Sequence, residues 1–462
     1  MKKTKYPMLI AAGLVTATAM QESAPVQAET LSNALATAYS TNPSLLAQQS
    51  QLKAVDETVS QALSNWRPNV TLSGDIEREY TRLNTRAANR DQLRTPRNGT
   101  LVVTQPLFRG FRTVNGVTRA EANVRAQRAI LRGIEQNILL EAATAYMAVV
   151  RDEAVLELKM NNEQVLRRQL EATQDRFRVG EITRTDVSQA EARVSGATAD
   201  RIQAKGALQI SRAAYVNVIG QAPGQLTSPK SLGDLPKTLQ EAQEIANKGH
   251  PDIISAQFSE RSAKEFVKLK RGELYPTLNV VGTVNRFWES SSNDSQLTTG
   301  EVRLDLSVPL YQKGAVYSEL REAKVNAGRS RLDLENARRT VLANVSSAWE
   351  TSTTTRARIK SFEAQIKAAE IALEGVQREA SVGSRTVLDV LDAEQELLDA
   401  KVSLIRAQRD EIVASFQLKE AVGQLTAENL SLPVDLFDPA AYYNTTRSKF
   451  LGADLPDQPA DQ

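Results

Sequence analysis

The chain is written twice. "NPSLLAQQSQLKAVDETVSQALSNWRPNVTLSG", from Asn42, lines up with "HPDIISAQFSERSAKEFVKLKRGELYPTLNVVG", from His250, so that Pro43, Pro68 and Gly74 face Pro251, Pro276 and Gly282 at a constant offset of 208. Further on the offset is 203 and stays there: Pro106 with Pro309, Tyr146 with Trp349, Gly180 with Gly383, Asp186 with Asp389, Gly220 with Gly423. One offset held over so long a span is a tandem duplication, and both copies must solve the same folding problem. The reading divides the chain into a leader, 1–28, a first repeat, 29–230, a second repeat, 231–428, and a polar, proline-containing tail, 429–462, expected to be partly disordered.

The leader is a signal peptide by pattern. Lys2, Lys3 and Lys5 precede a short apolar run from Met8 to Met20, and Val26 and Ala28 supply the small residues of a cleavage site. The protein is therefore expected to be exported. Removing residues 1–28 takes away three lysines and Glu22, so the formal charge falls from +2 to 0. A neutral mature chain argues against nucleic acid as a partner. With no cysteine and one histidine, neither a disulfide framework nor an N/S metal site is available, and no cofactor is expected. No nucleophile–base constellation or phosphate loop stands out, so the chain does not read as an enzyme. No later run of 18 apolar residues appears, which leaves a β-barrel as the one way into a membrane.

Each copy reads helix, strand, loop, strand, very long helix, turn, helix. The opening helices are expected over about Leu31–Trp66 and about Asp252–Leu274, each stopped by proline. Strands are expected at about 69–80, 99–108, 276–288 and 300–310. In "EVRLDLSVPLY", Val302, Leu304, Leu306 and Val308 point one way while Glu301, Arg303, Asp305 and Ser307 point the other. All four are about ten residues, the length of a tilted membrane strand. Aromatic residues flank them, Trp66, Phe108, Tyr275 and Tyr311 at the helix side and Tyr80, Phe287 and Trp288 at the loop side, as in an interfacial belt against lipid. Four strands cannot close a barrel whose smallest form has about eight, so the chain must share one with other copies.

Proline-free stretches from Arg112 to Arg178 and from Ala315 to Ala380 read as rods of about 100 Å at 1.5 Å per residue, in helical hairpins at about 111–220 and 313–423. Seams such as Leu391, Leu398, Ile405 and Ile412, or Ile134, Ile138, Ala142, Ala145 and Val149, are coiled-coil packing and carry no chemistry. His250, ahead of Pro251, reads as a helix cap rather than a ligand. Gly110 and Gly314 mark the bends from strand to helix.

Taken together, the leader, the duplication, four membrane-length strands and two long hairpins resemble the TolC family of outer-membrane efflux and secretion channels. The match covers essentially the whole mature chain, and its most specific pieces are the turns "VGEITRTDV" and "VGSRTVLDVLD". The resemblance implies a mixed α/β membrane protein: a homotrimeric twelve-stranded β-barrel in the outer membrane of a Gram-negative bacterium, continued by an α-helical coiled-coil barrel into the periplasm. It implies an exit duct for drugs, small molecules or secreted protein, docked to a periplasmic adaptor protein and an inner-membrane pump of the ABC, RND or MFS type. Val179, Gly180, Val382 and Gly383 would be the helix tips that meet the adaptor. Asp186 and Thr185 match the acceptors of the family's periplasmic gate, Arg385 matches the arginine that bonds to them, and Asp389 and Asp392 match the acidic ring of the constriction. Some members have a tyrosine where this chain has Ala380, which leaves Arg385 as the main restraint.

The residues alone leave two readings of the aspartates open. Asp389 and Asp392, at i and i+3, share a helix face and would form an acidic, cation-favouring ring. Asp186 and Asp389 equally suit a first helical turn, where a carboxylate complements the dipole. The competing function is a soluble periplasmic coiled-coil scaffold or adaptor, which explains the helices but not the strands.

Overall fold

The computed structural model describes residues 29–85 and 88–455. The expected signal peptide and the last seven residues of the tail lie outside the described residues.

The repeat is kept down to the helix caps. α1 (Leu31–Thr41) and α2 (Pro43–Ser64) in the first copy correspond to α5 (Leu239–Gly249) and α6 (Pro251–Arg271) in the second. Thr30 and Thr238 cap the first of each pair through their hydroxyls, accepting from Asn33 N at 3.3 Å and Glu241 N at 3.2 Å. Asn42 and His250 cap the second, accepting from Ser44 N at 3.0 Å and, through Nδ1, from Asp252 N at 3.2 Å. The single helix expected over 31–66 is therefore two, and the second copy has a helix before Asp252 that the sequence reading omitted. The cause is the same in both: proline has no N–H to donate and forces its predecessor into extended backbone, with ψ of 120° at Asn42 and 130° at His250.

α3 (Arg112–Arg178) and α7 (Ala315–Ser381) are 67 residues each, and α4 (Arg184–Ile219) and α8 (Val387–Ala421) return beside them. No helix among the described residues is long and apolar enough to cross a membrane. The seams are buried as expected at Ile138, Ala142, Ala145, Val149, Leu391, Leu398 and Ile412. Midway along the hairpins, α1, α3, α4, the end of α8 and the following segment enclose the largest apolar cluster, which includes Leu35, Tyr146, Tyr215, Phe416 and Leu425. Residues 429–450 are not a free tail. Leu432 joins that core, Phe437 N donates to Tyr39 Oη at 3.2 Å, and α9 (Ala441–Thr446) lies along α2, with Tyr442 Oη donating to Glu57 at 2.9 Å.

Four strands form one antiparallel sheet in the order β1 (Asn69–Ile76), β4 (Arg97–Arg109), β5 (Thr277–Trp288), β6 (Gln296–Ser307). β1 is shorter than expected. The segment read as a polar loop instead folds into a separate ribbon, β2 (Glu79–Thr85) with β3 (Ala88–Arg94). Cross-strand pairing satisfies the ribbon's backbone, and Asp91 accepts from both Arg82 and Tyr80, so its polar composition reports exposure rather than absence of structure. β6 ends at Ser307 because Pro309 cannot extend a ladder.

At the neck between sheet and rods, two glycines touch. A Cβ on Gly110 would lie 2.2 Å from the Gly272 carbonyl oxygen, and one on Gly272 would lie 2.3 Å from that of Gly110. Gly110 also has φ of +62°. Gly272→Ala should lower stability by on the order of 3 kcal/mol, whereas Gly282→Ala, with nothing within 4 Å, should be near neutral; thermal unfolding of the two variants checks this.

Asp56 in α2 is 1 % exposed, and neither carboxylate oxygen has a hydrogen-bond partner among the described residues. Burial pushes its pKa up to about 6, against the opposing pull of the Arg128 guanidinium. An acid with a raised folded-state pKa binds its proton more tightly in the native state, so stability falls as pH rises from 3.8 to about 6 and then levels. Asp56→Asn should stabilise the protein by on the order of 2 kcal/mol above that window and not at all below it, as read by unfolding temperature against pH.

Candidate functional site

The sheet's register sorts its side chains. Opposed residues in an antiparallel ladder share a face, and the pairing puts Leu72, Leu101 and Val284 in one row, Val70, Val103 and Val302 in the next, then Val280 with Leu304, and Phe108, Leu278 and Leu306. These project from one side, and Leu72 and Val302 are 78 % and 80 % exposed. The opposite side carries Asn69, Thr71, Thr100, Thr104, Thr283, Asn285, Glu301, Arg303 and Asp305. A wall that is apolar on one face and polar on the other suits lipid on one side and water on the other. β1 and β6 are the two ends of the sheet, and among the described residues no strand pairs with their outer edges.

Aromatic side chains gather where the sheet meets the rods. Phe108 stacks edge-on against Phe111 at 5.1 Å between centroids, and Phe111 against Tyr275 at 6.3 Å. Phe111, with φ of 62° at the start of α3, escaped the sequence reading, which looked only at strand ends. Trp66 is tied in through its carbonyl, which accepts from Gln105 Nε2 at 2.9 Å. Tyr311 stands exposed on the far side, beyond β6.

The two tips at the other end are near copies. Gly180 (φ +80°) and Gly383 (φ +81°) close α3 and α7 in left-handed backbone, with Glu181 N donating to Arg176 O at 2.9 Å and Ser384 N to Glu379 O at 3.0 Å. Val179 and Val382 are each 79 % exposed at the extreme ends. Thr183 and Asp186 form a capping box at the start of α4, and Thr386 and Asp389 form the same box at α8. Asp186 accepts from Thr183 N at 2.9 Å and Asp389 from Thr386 N at 2.9 Å. Thr185 stands exposed in the same first turn.

Charge is what distinguishes the tips. In the first, Arg176 on the helix pairs with Glu181 in the turn; in the second, Glu379 stands at the equivalent helix position and Arg385 in the turn donates to it at 2.9 Å. Within one chain Arg385 is therefore held by Glu379. The bond between hairpins runs instead from Arg193 on α4 to Asp392 on α8, above a small apolar cluster of Leu166, Val194, Ala197, Val387 and Leu391. Further up, Glu163 of α3 accepts from Arg167 at 2.7 Å, from Thr198 at 2.8 Å and from Arg201, and these bonds, that of Arg167 foremost, hold its carboxyl down to about 2. Sequence reasoning does not find Arg193, Glu379 or the Glu163 cluster, because the partners that define them lie across a turn or, like Asp392, Thr198 and Arg201, on another helix, and the one local pair, Glu163 with Arg167 at i+4, looks like any exposed helix pair.

Hydrogen bonds from Thr386, its backbone N–H first and its hydroxyl next, hold the Asp389 carboxyl below the usual 3.8. A depressed acid stabilises the fold above its unfolded pKa, so the cap is complete above 3.8 and is lost as pH falls through the lower folded value. Thr386→Ala and Thr183→Ala should each weaken their tip by about 1 kcal/mol, seen as faster amide hydrogen exchange confined to the first turn of α8 or α4.

A one-sided apolar sheet of membrane length, continued by two helical hairpins of about 100 Å, defines an outer-membrane channel subunit. The model of the family described as outer membrane efflux protein matches residues 34–221 and 243–424, one match per repeat. The outer membrane efflux protein BepC of Brucella suis biovar 1 is 33 % identical over 451 residues, 97 % of each chain. The outer membrane protein TolC of Vibrio cholerae serotype O1 is 28 % identical over 443 residues, 93 % of this chain and 97 % of its own. Among solved structures, the Campylobacter jejuni CmeC outer membrane channel superposes with a TM-score of 0.77 at 15 % identity, over 90 % of this chain and 89 % of its own, which shows the fold. The chain belongs to the outer membrane efflux protein family. It is an outer-membrane exit duct that extends into the periplasm and serves an export system with partner proteins; it is neither an enzyme nor a soluble scaffold.

Proposed function

We propose that three copies assemble into one duct, with a twelve-stranded barrel and a tunnel of long helices. The observation that carries this is the pair of open sheet edges at β1 and β6. Unpaired strand groups cannot remain in hydrocarbon, so β6 of one copy pairs with β1 of the next until the ring closes. Apolar residues then face lipid and the row from Glu301 to Asp305 faces the lumen. The tips bearing Val179, Gly180, Val382 and Gly383 meet a periplasmic adaptor, behind which an inner-membrane pump of the ABC, RND or MFS type supplies the energy. The similarity to BepC, named an efflux protein, favours drugs and other small molecules as cargo over secreted protein.

At the inner end we assign Arg385 as a latch. In the assembled ring it exchanges Glu379 for Asp186 and Thr185 on an adjoining hairpin, and Asp389 with Asp392 contributes six carboxylates around the axis. Arg193 offsets the charge of Asp392, so the strength of this ring depends on that pair. Arg385→Ala should raise single-channel conductance and antibiotic leakage several-fold. Asp389→Asn with Asp392→Asn should lower cation preference in planar bilayers. Unchanged conductance sinks the latch, and unchanged selectivity sinks the ring.

A further inference from the structure

The apolar face of the sheet does not end as it begins. At the end next to the helices it finishes in Phe108, Phe111 and Tyr275. At the far end the register puts Arg286 opposite Gly99 and Thr298, and Arg97 opposite Ile76 and Trp288, all on the side that carries Leu72 and Val284. Two arginines thus stand on the lipid-facing side, diagonal neighbours about 7–8 Å apart by strand geometry.

Their surroundings are those of an anion site. Arg286 is exposed, has no ion-pair partner among the described residues, and lies over the Trp288 ring with Cζ 5.2 Å from its centroid. A guanidinium stacked on a ring keeps its N–H edge free to donate. Arg97 is partly engaged by Glu289 at 3.7 Å. Gly74 and Gly99 adjoin Arg286 in the same row; the Trp288 ring lies over Gly99, where a Cβ would come within 3.8 Å of it, while no side chain lies within 4 Å of a Cβ at Gly74, next to the edge at β1. From Tyr275 to Arg286 the chain advances eleven residues, about 36 Å, or about 27 Å of height at a 40° tilt. That matches an apolar band about 25 Å tall and sets Arg286 and Arg97 at its outer boundary.

We propose that Arg286 and Arg97 bind a phosphate of the anionic phosphorylated glycolipid that makes up the outer leaflet of this membrane. Arginine suits a phosphate because its planar fork donates two parallel hydrogen bonds, and the low dielectric at the boundary strengthens them. Trp288, which lies over Gly99, and the adjoining valine and leucine rows take the first acyl carbons, and the absent side chain at Gly74 admits the sugar. The site rests on the assignment of the apolar face to lipid made above. An ordinary interfacial arginine that reaches up to water would show no preference among headgroups, and that difference is measurable.

The mature full-length protein is reconstituted in neutral phosphatidylcholine nanodiscs with a minor fraction of bisphosphorylated lipid A, its dephosphorylated form, or phosphatidylglycerol, and bound lipid is counted by native mass spectrometry. The wild type should enrich the bisphosphorylated form about tenfold over the dephosphorylated one, the size of one charge-assisted hydrogen-bonded pair. Arg286→Gln with Arg97→Gln should abolish that preference, and Arg303→Gln on the opposite face should keep it. No preference in the wild type, equal enrichment of phosphatidylglycerol, or a preference retained by the double variant overturns the proposal. A second arm leaves Trp288 as the one tryptophan (Trp66→Phe, Trp349→Phe) and adds brominated acyl chains. Quenching without headgroup preference rejects the phosphate site alone, whereas absence of quenching rejects the orientation of the barrel wall and the site with it.

Discussion

Hydrocarbon offers no hydrogen bonds, and the rest of this molecule is arranged around that fact. A sheet of four strands has two bare edges wherever it sits. In water they would be an aggregation hazard and in a membrane they are forbidden, which is the reason for the closure with other copies proposed above. The alternation along β6 and its alignment with β5, β4 and β1 turn a local period of two into a wall with one apolar and one polar face.

The helical half inherits its geometry from that wall. Strand must become helix within a few residues, and the crossing of Gly110 with Gly272 brings two backbones together where no Cβ fits. Phe111 takes up left-handed backbone beside them and completes an aromatic collar with Phe108 and Tyr275. Below the neck, duplication supplies two hairpins of equal length, so both tips reach the same level. The reversed charges at the tips, Arg176 with Glu181 against Glu379 with Arg385, then break the equivalence of the two hairpin ends.

Much of this was legible in the residues. Prolines and glycines at fixed offsets marked the copies, proline-free stretches marked the rods, and the alternation in "EVRLDLSVPLY" marked a two-faced strand. The family match supports fold, location and role together, because each of those signals is local and repeated. Other features were misjudged on equally local grounds. Pro43 was read through rather than as a break, since a proline at the first helical position looks the same in sequence as one near the start of a longer helix. The ribbon of β2 and β3 reads as loop in sequence because its residues are mostly polar on both faces and show no apolar period.

By itself the sequence determined the duplication, the lengths of the two long rods, the two-faced strands and the acidic first turns at Asp186 and Asp389, each of them a pattern carried by the residues themselves. The tertiary structure alone decided which charges meet. Arg193 reaches Asp392 across 199 positions, Glu163 gathers Arg201 and Thr198 from the facing helix, and Arg286 joins Arg97 through the register of two strands. Such pairings depend on how whole elements are placed side by side. Local pattern sets which face a residue occupies, and packing sets what it faces.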